Sequence, residues 1–76
     1  MQNRGMIERH LAQAEMQVIQ GETRLGRQRE VVAELERDGQ YEAAQTAREL
    51  LATFETAQQS NLDDRDRLRA ELAALK

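Results

Sequence analysis

The chain has 76 residues, enough for one small domain, and carries 11 basic against 14 acidic side chains, a net charge of −3. It has no Cys, which excludes a disulfide scaffold and a thiolate metal site, and with one Phe, one Tyr and no Trp it is poor in sheet-forming residues. No run approaches the roughly 20 apolar residues of a membrane span, so composition leaves a soluble, all-α chain.

The first residues, Met1 to Glu8, contain no apolar core of the kind a secretory signal needs, and the expected location is cytoplasmic. From Ile7 an apolar series begins. Ile7, Leu11, Ala14, Val18, Gly21, Leu25, Gln28, Val32 and Leu35 alternate steps of four and three. This is a heptad with Leu or Val at one core position and mixed residues at the other. A seven-residue repeat drifts about 20° per heptad on a straight helix, so keeping the stripe in contact requires a left-handed supercoil. The spacing predicts a coiled-coil-like helix over about 4–37.

Arg37-Asp38-Gly39 is its stop signal: a basic residue in the last turn, then Gly where the chain must turn left-handed. A turn over about 38–41 leads into a second helix, about 41–75, giving an antiparallel two-helix hairpin as a single domain. Its stripe runs Ala44, Ala47, Leu51, Phe54, then Leu68, Leu72, Leu75. The middle is weaker, with Gln58, Asn61 and Arg65 on the stripe and Ala57 and Leu62 beside it. Ser60-Asn61-Leu62-Asp63 fits a capping pattern that could start a third helix. One continuous helix is the reading adopted, because nothing there breaks it and Asp63, Arg67 and Glu71 alternate charge at i, i+4.

With Gly39 as the pivot, residue i faces about residue 78 − i. Leu35 then lies near Tyr41 and Ala44, Val18 and Met16 near Leu62, Leu11 near Leu68, and Ile7 near Leu72. Gly21 falls where the only Phe arrives, so a small residue opposite a large one is expected there. Gln28 takes a core-type position among aliphatic neighbours. It either fixes register across a dimer or lies at the seam edge with its amide in water.

A two-helix hairpin shields one face of each helix, yet apolar residues lie outside the seam. Helix 1 adds Met6, Ile19 and Val31, with Ala12, Gly26 and Ala33 around them; helix 2 adds Leu50 and Ala43. So broad a stripe is a bundle pattern, and a homodimer forming a four-helix bundle is expected. A further, unidentified protein partner is compatible with it.

Chemistry finds little footing. Ser60 and His10 are the only Ser and the only His, and the hairpin places them well apart. No Glu stands three residues before His10, so the di-metal bundle motif is missing. The carboxylate groups Glu34/Glu36/Asp38 and Asp63/Asp64/Asp66 sit on helix surfaces among Arg residues. The four Gly are too scattered for a phosphate loop. The expectation is a non-enzymatic chain without cofactor or metal. Arg24, Arg27 and Arg29 form the densest basic patch, flanked by Glu22 and Glu30. They motivate the alternative, a small regulatory protein acting on nucleic acid directly or through a partner. A sustained basic face is lacking, so nucleic acid is not the expected partner.

Glu34-Leu35-Glu36-Arg37-Asp38-Gly39, Ala47-Arg48-Glu49-Leu50-Leu51-Ala52-Thr53-Phe54-Glu55 and Asp64-Arg65-Asp66-Arg67-Leu68 together resemble a group of short uncharacterised alpha-proteobacterial proteins, over about residues 10–72. The resemblance implies a small cytoplasmic helical hairpin and brings no catalytic residue and no ligand.

Overall fold

The computed structural model describes residues 3–75. Two helices, α1 (Arg4–Arg37) and α2 (Tyr41–Ala74), lie antiparallel in a rod measuring 57 × 14 × 14 Å. α2 runs unbroken through Ser60-Asn61-Leu62-Asp63, so the capping pattern starts no third helix.

Local chemistry accounts for the ends. Asn3 caps α1, its Oδ1 accepting from the Met6 N–H at 2.8 Å. At the other end the Gln40 N–H donates to the Leu35 carbonyl at 2.9 Å and the Gly39 N–H to that of Glu36 at 3.1 Å. These two crossed bonds form a Schellman motif, and they require the left-handed φ of 73° found at Gly39. Gly39→Ala is therefore expected to cost about 1 kcal/mol in thermal unfolding. Inside the helices, Thr23, Thr46, Thr53 and Thr56 donate their hydroxyls to the carbonyl four residues earlier, at 3.2–3.4 Å. This back-bonding satisfies the hydroxyls of residues that otherwise favour turns and caps.

The heptad stripe predicted for α1 is the packed seam. None of its nine positions is exposed, and Ile7, Ala14, Leu25 and Val32 are buried. The α2 stripe behaves likewise, including its weak middle at Gln58, Asn61 and Arg65. The register is set by Gly21 meeting Gln58, so residue i lies level with about residue 79 − i, close to the pivot estimate. At the open end Ile7, Ala14 and Leu68 form a cluster with Leu11, Leu72 and Leu75 packed on it. Arg4 closes that end by donating to the Leu75 carbonyl at 2.9 Å.

Two expectations about the turn end and middle are corrected. Tyr41 is 70% exposed rather than packed against Leu35, because on the α2 stripe it precedes the first buried position, Ala44. Gly21 faces Gln58 instead of Phe54. The pivot estimate places Gly21 level with Ala57, and a shift of one residue from it brings Gln58, the seam residue after Phe54, opposite the glycine.

Candidate interaction surface

The seam is stitched by two glutamines acting reciprocally. Gln28 on α1 sends its Nε2 across to the Ala47 carbonyl of α2 at 2.9 Å. Gln58 on α2 sends its Nε2 back to the Val18 carbonyl of α1 at 2.9 Å and to Glu22 Oε1 at 3.0 Å. The Gln58 Oε1 accepts from Asn61 Nδ2 at 3.2 Å. Gln58 is the buried polar side chain of the seam, 4% exposed, and every polar atom of its amide has a partner. The amide fits because Gly21 has no Cβ: a Cβ there would collide with Gln58 Oε1 and lie 2.6 Å from its Cδ. Gln28 is half-buried at the seam edge, and the Nε2 of its amide is held within the hairpin. Gln58 was legible in sequence only as a defect in an apolar stripe. The signal that identifies it is the pairing of a helical Gly on one stripe with a long amide at the matching level of the other.

Charged residues line both broad faces beside the seam. On one face Glu15 pairs with Arg69 at 3.2 Å and Glu36 with Arg48 at 2.7 Å. Both pairs are substantially exposed and add little stability, but they agree with the register. On the other face a groove of about 230 Å³ is lined by His10, Gln13, Gln17, Asp64, Arg67 and Glu71. Arg67 lies 3.2 Å from Glu71 and 3.7 Å from Asp64, so these charges answer one another. Asp63 takes no part in that ladder and accepts from Gln59 instead. Among the described residues no group of three His, Cys, Asp or Glu side chains is placed to hold a metal, and neither helix is long and apolar enough to cross a membrane.

The basic patch does not form a single face. The Arg24 guanidinium lies over the Phe54 ring, 5.5 Å from its centroid. Arg24 and Arg27 line one groove together with Ile19, Gln20 and Thr23. Arg29, five residues beyond Arg24 and two beyond Arg27, points to another side of the helix by simple helical geometry.

The apolar residues left over divide between the helices. Val31 and Leu50 are exposed at the turn half, Leu50 to 45%. Among the large aliphatic side chains of the described residues the greatest exposure is on α1, where Ile19 is 60% and Met16 54% exposed. Met16 therefore points away from Leu62, not toward it. Ile19 stands between two grooves, the one with Arg24 and Arg27 and a second lined by Glu15, Val18, Arg65 and Arg69. Of the seam residues predicted from sequence, Leu25, Val32 and Leu68 are buried, and Leu11, Val18, Leu35, Leu51, Phe54, Leu62, Leu72 and Leu75 are half-buried.

No protein-family model, curated protein or solved structure matches the chain.

Proposed function

We propose that this chain is a cytoplasmic, non-enzymatic helical module that works by associating with itself, bringing four helices together in a homodimer that serves a structural or adaptor role. The observation that carries this reading is the exposure of Met16 and Ile19, both more than half open to solvent on a helix whose seam is already filled. Met16 and Ile19 lie one turn apart and so form one continuous apolar spot rather than two scattered ones. Two further features agree. Among the described residues no large side chain is fully buried, as expected of a rod only two helices thick, and small chains commonly gain stability by oligomerising. A role on nucleic acid has less support, since Arg24 is engaged by Phe54 and Arg29 faces elsewhere.

Sedimentation equilibrium from micromolar to millimolar concentration tests the proposal. The expected result is a mass that rises toward two chains with concentration. A mass of one chain over the whole range refutes it.

A further inference from the structure

The self-association reading leaves open which face meets which, and the outer surface of α1 supplies an answer that rests on that reading. Met16 and Ile19 belong to a second, exposed stripe of α1, with Ile19 at its edge, where it also lines a groove with Arg65 and Arg69 of α2. Going outward from them, it continues through Ala12 and Thr23, then Arg9 and Gly26, then Gly5 and Glu30, in steps of four and three. Apart from Gly26, which is half-exposed, every one of these residues is exposed. Thr23 already donates its hydroxyl to the Ile19 carbonyl, which lowers the cost of covering it. Gly26 is unexplained by the hairpin: a Cβ there would meet nothing within 4 Å, and Gly39 is the glycine with positive φ. Arg9 and Glu30 have no ion-pair partner among the described residues.

We propose that this stripe docks against the same stripe of a second copy, the two α1 helices running antiparallel about a two-fold axis near Gln17 and Val18. Charge decides both the occupant and the register. When two such heptad stripes pack antiparallel, residue i lies level with about residue 35 − i of the partner. Met16 then meets Ile19 of the partner subunit, and Ile19 meets Met16 of the partner subunit, in the two central layers. Ala12 meets Thr23 of the partner subunit on either side of them. Arg9 lies over Gly26 of the partner subunit, where the missing side chain leaves room for its stem. That placement brings the Arg9 guanidinium within one helical turn of Glu30 of the partner subunit. On the flank, where paired positions sum to about 37, Glu8 comes near Arg29 of the partner subunit, while Glu15, which is paired with Arg69 in its own chain, comes near Glu22 of the partner subunit. The stripe is thus complementary to itself under a two-fold axis, as an isologous interface must be.

The broad faces of the hairpin serve this role less well, because charged side chains line them beside the seam. Since the second stripe lies nearly opposite the first on α1, the four helices stand in a row, α2 to α1 to α1 to α2, rather than in a square. One helix per partner contributes contacts, over residues 5–30, about 40 Å of helix. Such an interface falls at the small end of specific association, and the dimer is expected to be of micromolar strength.

The test is sedimentation equilibrium on the full chain, with circular dichroism to check that each variant is helical. Ile19→Glu is expected to be helical and monomeric at all concentrations, whereas Leu50→Glu, on the other helix, associates like the parent. Arg9→Glu and Glu30→Arg are each expected to weaken the dimer roughly five- to tenfold, and the double variant Arg9→Glu/Glu30→Arg to restore it. A dimer that persists in Ile19→Glu overturns this face while leaving self-association intact. A dimer that Ile19→Glu abolishes but the double charge reversal does not restore overturns the antiparallel register. A parent chain that is monomeric throughout overturns both this inference and the self-association reading.

Discussion

Leu25→Ala is expected to cost about 2–4 kcal/mol, among the largest losses that a single truncation in this hairpin can bring. Leu25 is 5% exposed, on the heptad stripe level with Phe54, in a rod two helices thick. Removing its three outer carbons forfeits their transfer from water and leaves a gap that the neighbouring side chains close only in part. Small domains have only a few kcal/mol of net stability, so the variant is expected to lose much of its helical circular dichroism at 37 °C. Leu50→Ala is the control. Leu50 is 45% exposed and outside the seam, and its truncation is expected to change monomer stability by no more than about 0.5 kcal/mol. Equal losses at the two positions would show that the seam assignment is wrong.

The second large effect is a change of sign. Gly21→Ala should stabilise a helix by about 1 kcal/mol on propensity alone. Here the new Cβ enters the space held by the Gln58 amide. The amide must leave, and its bonds to the Val18 carbonyl and to Glu22 leave with it. Breaking bonds of a buried amide costs about 1–3 kcal/mol, which offsets the propensity gain, so the net expectation is destabilisation of up to about 2 kcal/mol. In the background of Gln58→Ala the collision is gone, and the same Gly21→Ala is expected to stabilise by about 1 kcal/mol. A double-mutant cycle by thermal denaturation measures the coupling directly. For a domain of this size each kcal/mol moves the melting temperature by about 4–8 °C. If Gly21→Ala has the same sign in both backgrounds, the glycine does not serve the Gln58 amide.

The two expected results differ in how far the sequence alone reaches them. Leu25 was identifiable as core from periodicity, because a heptad of Leu and Val on a chain without Pro has one way to bury its stripe. The helix boundaries followed from equally local chemistry. Arg37-Asp38-Gly39 specifies a left-handed turn through the conformational freedom of one glycine, and the helices end and begin within a residue or two of it. The relation between Gly21 and Gln58 is different in kind. Their chemistry is unremarkable separately, a weak helix former and a polar residue on an apolar stripe. They acquire meaning when they meet, 37 positions apart in sequence. The pivot estimate places Gly21 level with Ala57, between the seam residues Phe54 and Gln58, and a turn signal does not define register finely enough to choose between the two.

The same distinction applies to the surface. The surplus of apolar residues could be counted from the sequence, and Ile19, Val31 and Leu50 could be placed outside the seam. Tyr41 could not be placed, since a residue beside a turn packs or points outward according to the phase of the helix it opens. Nor could the sequence show that Ile19 stands between two grooves, or that Gly26 faces open space. By itself, then, the sequence determined the all-α class, the two helices, the Gly39 turn between them and the seam stripe, because each depends on interactions spanning a few residues or on a repeat along one helix. Only the tertiary structure decided the register, the reciprocal glutamine bonds and the outward stripe of α1, because each depends on which atoms of one helix lie within a few ångströms of the other, or of none.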